Sequence, residues 1–179
     1  MHFLEKFYNK TLKYELINKF VYNNTKNIPK LKKIILNFGC RTADIKQLSS
    51  SLLAFELIAN QRGLLTKTKR SNILFKIRKG NPTGCKITLS RFNSYNFFSK
   101  MISEIFPKLK NFSGFNSKKI LKKRTFSYEL HETFVFKELE SHYYLFNNLP
   151  KLNITIITDT NNKKELILLL KSLQLPFNN

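Results

Sequence analysis

Apolar residues near the start of the chain recur every three or four positions. Leu4, Phe7, Tyr8, Leu12, Leu16 and Phe20 share one face at that spacing, which predicts a helix over about residues 2–20. After Pro29 the period changes to two: Ile34, Leu36 and Phe38 point one way and Lys33, Ile35 and Asn37 the other, a strand that Gly39 ends. Helical spacing returns with Leu48, Leu52, Phe55 and Ile58 or Ala59, capped by Asp44, running to about Asn60 and stopped by Gly63. LLTKT and NILFKI predict two short strands. A GNPTG loop then leads to CKITLSRF, where Cys85, Ile87 and Leu89 oppose Lys86, Thr88 and Ser90. From Ser94 to Phe106 the spacing of Phe97, Phe98, Met101, Ile102 and Ile105 is helical, with Pro107 as the expected stop. The segment KLKNFSGFNSKKILKKR (108–124) has no period and reads as loop. TFSYEL and LNITIITD read as strands, and NKKELILLLKSLQLPF as a last helix stopped by Pro176.

This order, with short connections and no internal repeat, predicts an α+β fold: a mostly antiparallel sheet with helices packed on one face and the other left free. At 179 residues and 42% hydrophobic content, one domain spanning 1–179 is the expectation. The free face would carry Lys33, Asn37, Lys86 and Thr88, groups that hydrogen-bond phosphates, sugars and base edges.

Charge gives that free face a partner. Lys and Arg number 32 against 11 Asp and Glu, a formal net charge of +21. So large an excess repels itself unless a polyanion neutralises it, and solubility does not require it. No apolar run approaches the roughly 20 residues of a membrane span; LILLL and IILNF are the longest. The opening helix contains Glu5 and Glu15 but no Arg or Ser, unlike a transit peptide, so it reads as part of the mature protein with no cleaved presequence before it. Cys40 and Cys85 lack metal-ligand spacing, and with only His2, His131 and His142 in the chain they read as reduced, buried thiols.

Catalytic chemistry is equally thin. The stretch HETFVFKELESH holds His131, Glu132, Glu138, Glu140 and His142 without a metal or general-base spacing. Phosphate-binding loops, dinucleotide fingerprints and nucleophile elbows are missing, as is the carboxylate pair a metal-dependent nuclease needs. The alternatives to a structural RNA-binding protein are a basic RNA-processing nuclease, a general RNA chaperone or a membrane-surface binder. Abundant Lys, Asn, Ile and Phe with scarce Ala, Gly and Arg are what an A+T-rich coding sequence produces, in an organelle or a reduced bacterium.

The densest charge lies in TKTKRSNILFKIRKGNPTGCK, with Lys67, Lys69, Arg70, Lys76, Arg78, Lys79 and Lys86 around a hairpin-like loop. Gly80 and Gly84 suit positive φ or close backbone approach, and Pro82 is expected to stiffen the tip.

Four stretches carry a family resemblance: IPKLKKIILNFG (28–39), FKIRKGNPTGCKITL (75–89), ELHETFVFKELE (129–140) and LNITIITDTNNKKELILLLKSLQLPF (152–177). In this order and spacing the chain resembles the bacterial-type ribosomal protein five family, the 5S rRNA-binding proteins of the central protuberance of the large ribosomal subunit. The resemblance implies a non-catalytic ribosomal protein with 5S rRNA on the exposed side of its sheet. Asn37, Gln61 and Thr88 occupy the family's RNA-contacting Asn, Gln and Thr positions, and Lys33, Lys67, Lys86 and Arg91 lie near them in sequence or on the same face. It also implies that the hairpin reaches the peptidyl-site tRNA and a small-subunit head protein. Lys69 and Arg70 lead into that hairpin, and Lys76, Arg78, Lys79, Gly80, Asn81, Pro82 and Gly84 belong to it. Large-subunit rRNA and neighbouring large-subunit proteins complete the expected partners, with no cofactor, metal, membrane or small-molecule substrate. Together with the composition, a start at the first helix favours a mitochondrially encoded member; a plastid or a reduced bacterium is the alternative. Two departures stand out: KKILKKRTF replaces the family's glycine-rich turn, and FGCRTA places Cys40 and Arg41 where smaller groups are usual.

Overall fold

The structure is a computed structural model that describes residues 2–40, 44–110, 112–116, 121–122 and 124–178. Arg41 and residues 117–120 and 123 of the basic segment lie outside the described residues. Five strands form one sheet: β1 (Leu31–Gly39), β2 (Leu64–Lys67), β3 (Pro82–Ser90), β4 (Thr125–Leu130) and β5 (Leu152–Thr158), in the order β2-β3-β1-β5-β4. Bonds at the strand ends set their directions. Cys40 N–H donates to the Thr83 carbonyl at 2.9 Å, Asp159 N–H to Lys30 at 3.0 Å and Thr158 N–H to Arg124 at 2.9 Å. In each case the end of one strand meets the start of its neighbour, so the sheet is antiparallel, as the β2–β3 register also is.

The alternation read from the sequence appears directly as burial. Ile34, Leu36 and Phe38 of β1 and Cys85, Ile87 and Leu89 of β3 are buried, while Lys86, Thr88 and Ser90 are exposed and Lys33, Ile35 and Asn37 are half-buried. The α+β expectation with one sheet face committed to the core therefore holds.

The chain divides into two compact units. The first comprises Met1–Ile34, Leu89–Tyr128 and Thr155–Asn179; the second comprises Ile35–Thr88 and Glu129–Ile154.

In the first unit the opening helix runs from α1 (Phe3–Phe7) through a π-helical turn (Tyr8–Leu12) into α2 (Lys13–Lys19). Tyr8, Leu12 and Leu16 are buried, and the Tyr8 hydroxyl donates to the Pro29 carbonyl at 2.8 Å. The next helix has the same construction: α4 (Phe92–Lys100), a π turn (Met101–Ile105) and α5 (Phe106–Lys108). It begins two residues before the expected start and passes through Pro107 rather than stopping there, because a proline in the first turn of α5 forfeits no needed N–H. The last helix, α8 (Lys163–Ser172), ends ahead of Pro176; Gln174 with φ +66° turns the chain out. Buried Glu165 accepts from Asn161 N–H at 3.1 Å and from the Asn162 amide at 3.2 Å, closing the helix start in the manner of a capping box.

The basic segment 108–124 proves partly ordered where it is described. Phe115 sits among Phe106, Phe112, Phe126, Tyr128 and Phe177, with ring centroids 4.9–6.2 Å away. Its N–H donates to Pro176 at 2.9 Å and its carbonyl accepts from Asn178 at 3.1 Å. A periodicity search misses this because two phenylalanines three residues apart make a cluster only when the chain terminus returns to them.

In the second unit α3 (Ile45–Ala59) is capped by Asp44, whose carboxylate accepts from Lys46 N–H at 3.1 Å, and closed by Asn60 at φ +50°. Leu48, Ser51, Ala54, Phe55 and Ile58 are its buried stripe, and Leu52 is only half-buried. Phe55 meets Phe38 of β1 with ring centroids 4.7 Å apart, and the Cys85 thiol lies 3.7 Å from the Leu48 carbonyl. Small Ser51 and Ala54 let that helix approach closely, so the apolar pattern alone misplaces the stripe by one position. The second unit also holds the short helices α6 (Lys137–Glu140) and α7 (Tyr143–Phe146). NILFKI, expected as a strand, is instead a four-residue turn closed by paired bonds between Asn72 and Ile77 at 2.9 and 3.0 Å. Lys76 at φ +51° is incompatible with an extended run there.

Burial pushes the Cys85 thiol up to about 11 from its ordinary 9.0, with Cys40 adding to the effect, and burial pushes Tyr8 up to about 12. Each group is neutral in the fold and ionises more readily once unfolded. The stability they lend is complete below the unfolded value and is lost as pH rises through the folded one. The urea midpoint is expected to fall as pH is raised from 9 to 11, and less steeply in Cys85→Ala; an equal fall in both proteins contradicts the assignment to this thiol.

A candidate nucleic-acid interface

The open face of the second unit is set by register. From the Cys40–Thr83 bond, counting back along β1 and forward along β3 places Asn37 opposite Lys86 and Ile35 opposite Thr88. The parity agrees with burial, since each such pair shares the face that the core does not use. On the other flank Leu64 of β2 pairs with Lys86 and Thr66 with Gly84. An ammonium group therefore has a half-buried amide on one side and an exposed leucine on the other.

Gln61 joins this row from outside the sheet. It follows the left-handed residue Asn60 that closes α3, and its side-chain amide donates to the Thr88 carbonyl across 3.5 Å, a long contact. Asn37, Gln61 and Thr88, together with Lys86, are thus brought onto one surface. Lys67 is exposed at the end of β2, where an irregularity between Thr66 and Lys67 shifts the pairing to Pro82. Lys33 and Arg91 belong to the first unit. Lys33 is half-buried on β1, and Arg91 is exposed before α4 at φ +51°, its carbonyl accepting from the Ser94 hydroxyl at 2.7 Å.

Gly84 is what lets β1, β2 and β3 close up. A Cβ there would lie 2.7 Å from the Phe38 carbonyl oxygen and 2.9 Å from Thr66 Oγ1. Its place is therefore in β3, not in a loop.

The hairpin is organised differently from the expectation of a glycine-proline tip. Thr68 N–H donates to Asn81 at 3.0 Å, Gly80 N–H donates to Thr68 at 3.0 Å, and the Thr68 hydroxyl donates to Arg78 at 2.8 Å. Gly80 at φ +90°, Asn81 and Pro82 therefore form the base of the returning arm. The tip is Ile73–Lys76, started by an Asx turn in which the Asn72 side chain accepts from Leu74 N–H at 3.1 Å. Lys69, Arg70, Arg78 and Lys79 are exposed along the arms and Lys76 at the tip. Ile73 and Leu74 are 93% and 90% exposed. Sequence reasoning missed this apolar tip because ILF between polar residues scores as strand; the turn-forming Ser71-Asn72 pair was the available signal.

What this surface offers is hydrogen bonding and positive charge. Among the described residues no group of three or more His, Cys, Asp or Glu is placed to hold a metal ion. Among the described residues, too, no helix is long and apolar enough to cross a membrane.

A sheet with amide, hydroxyl and ammonium groups on its open face, next to a cationic hairpin, defines a class of protein suited to lie against a polyanion. Comparison with known proteins narrows the class. Residues 82–177 match the family model for the C-terminus of the ribosomal uL5 proteins. The chain is 40% identical over 180 residues to large ribosomal subunit protein uL5m of Reclinomonas americana, covering 99% of both chains. It is 36% identical to uL5 of Geotalea daltonii and 35% identical to uL5c of Oedogonium cardiacum, covering 98% of each chain in both cases. The chain belongs to the uL5 family of large-subunit ribosomal proteins, which are structural and non-enzymatic.

Gly84→Ala tests the closure of the face. The new methyl meets a backbone oxygen that cannot swing aside, so a loss of about 1–3 kcal/mol in urea unfolding is expected. An unchanged midpoint means the strands are not packed this tightly.

Proposed function

We propose that this chain is a structural constituent of the large subunit of a mitochondrial ribosome, binding 5S rRNA in the central protuberance through the open sheet face. The observation that carries the reading is the convergence of Asn37, Lys86 and Thr88 on that face, with Gln61 held against the Thr88 carbonyl. Lysines neutralise phosphates and supply affinity, while the neutral amides and hydroxyl set register by hydrogen bonds to sugar and base. Lys33, Lys67 and Arg91 add charge. The basic hairpin reaches the peptidyl-site tRNA and the small-subunit head, with cationic arms along the phosphates and the Ile73–Leu74 tip making the apolar contact. Identity to the Reclinomonas americana uL5m and the A+T-driven composition support a mitochondrial home over a plastid or a bacterium.

Titration into labelled 5S rRNA at several salt concentrations, with bulk tRNA as competitor, tests the first half. Asn37→Ala, with folding intact, is expected to weaken binding by about 1–3 kcal/mol through a stranded partner. Lys86→Ala should cost less and lower the salt slope by about one. Binding lost equally to any RNA sinks the 5S assignment.

The hairpin is tested separately. Replacing Ile73 and Leu74 with Ser is expected to leave 5S rRNA affinity unchanged and to weaken tRNA binding to reconstituted ribosomes. A collapse of 5S rRNA binding in that variant contradicts this division of labour.

A further inference from the structure

The first unit carries a second surface that is unlike the sheet face. The end of α2 and the outer side of α8 bound a groove of about 420 Å³. Phe20, Ile167 and Leu168 line it and are half-buried, and the exposed lysines Lys19, Lys164 and Lys171 stand around them. Among the described residues no carboxylate lines it; Glu165, the acidic residue nearest in α8, is buried and turned into the cap at Asn161 and Asn162. Ile17, one turn before Phe20, is itself 42% exposed.

We propose that this groove docks an acidic amphipathic helix from a neighbouring protein. Aliphatic side chains between two helices accept the apolar stripe of a third helix, with anchors spaced at i, i+3, i+4 and i+7. The lysine rim matches carboxylates on the polar faces of that helix and repels basic segments, which makes the surface selective in a chain of net charge +21. RNA fits the same place poorly. Ile167 and Leu168 offer no ring for a base to stack on, and a phosphate would have to sit over apolar carbon. This proposal is independent of the 5S rRNA reading, because it uses other elements and a different chemistry.

The test is a titration of the full-length, isotope-labelled protein followed by backbone amide NMR. The probe is a designed helical peptide with Leu at i, i+3, i+4 and i+7 and Glu at its other positions; the control contains the same residues scrambled. Saturable shifts centred on Phe20, Ile167 and Leu168 with the amphipathic peptide alone are expected. Leu168→Glu should weaken binding about tenfold or more, as loss of a central anchor does. Lys164→Glu, an exposed change that leaves the core untouched, should weaken the Glu peptide and strengthen a Lys counterpart. Equal response to the scrambled peptide overturns the proposal, since charge alone then suffices. Preferential shifts of the same residues by an RNA duplex, or by phosphatidylglycerol vesicles, overturn it in favour of those partners.

Discussion

A two-residue period on β1 and β3 is the constraint on which the second unit depends. Ile34, Leu36 and Phe38, with Cys85, Ile87 and Leu89, must all leave water, and the pleat then turns every intervening residue outward. A slip of one residue would bury Asn37, Lys86 and Thr88 and expose six core side chains. Register is therefore held by the core, and the positions of the hydrogen-bonding groups on the open face follow from it. Gly84 tightens this arrangement, since any side chain there would hold β1 and β2 away from β3.

The hairpin follows a different logic. Its arms are pinned at two levels, Thr68 with Gly80 and Asn81 near the sheet and Asn72 with Ile77 near the tip. Between those levels nearly every side chain is exposed, so the segment contributes little to the core and serves to present what it carries. Exposing Ile73 and Leu74 in water has no folding benefit, which is why an apolar tip on a cationic stalk marks a contact surface. The same reasoning applied to the groove beside Phe20 gives a different partner, because there the apolar residues lie recessed between helices and the lysines surround them.

Lysine-rich segments stay folded here by being tied to aromatic residues. The described part of 108–124 is held through Phe112 and Phe115 against Phe106, Phe126, Tyr128 and Phe177, and by backbone bonds to the chain end. The charge then sits on residues between the anchors, where it can face solvent.

Periodicity in the sequence alone determined the strands at β1, β3, β4 and β5, the two faces of β1 and β3, and helix α3 with its cap at Asp44, because local burial patterns and capping chemistry are written in neighbouring residues. It also placed Asn37, Lys86 and Thr88 on the open face. Family resemblance added Gln61, for which no local pattern speaks. Only tertiary structure brought Gln61 to Thr88, set Leu64 and Thr66 beside Lys86 and Gly84, turned NILFKI into the hairpin tip and moved the glycine-proline stretch to its base. Those outcomes depend on bonds between residues distant in the chain, or on which apolar run finds a covering partner. A short apolar run looks the same in sequence whether it ends buried in a sheet or held out at the end of a hairpin.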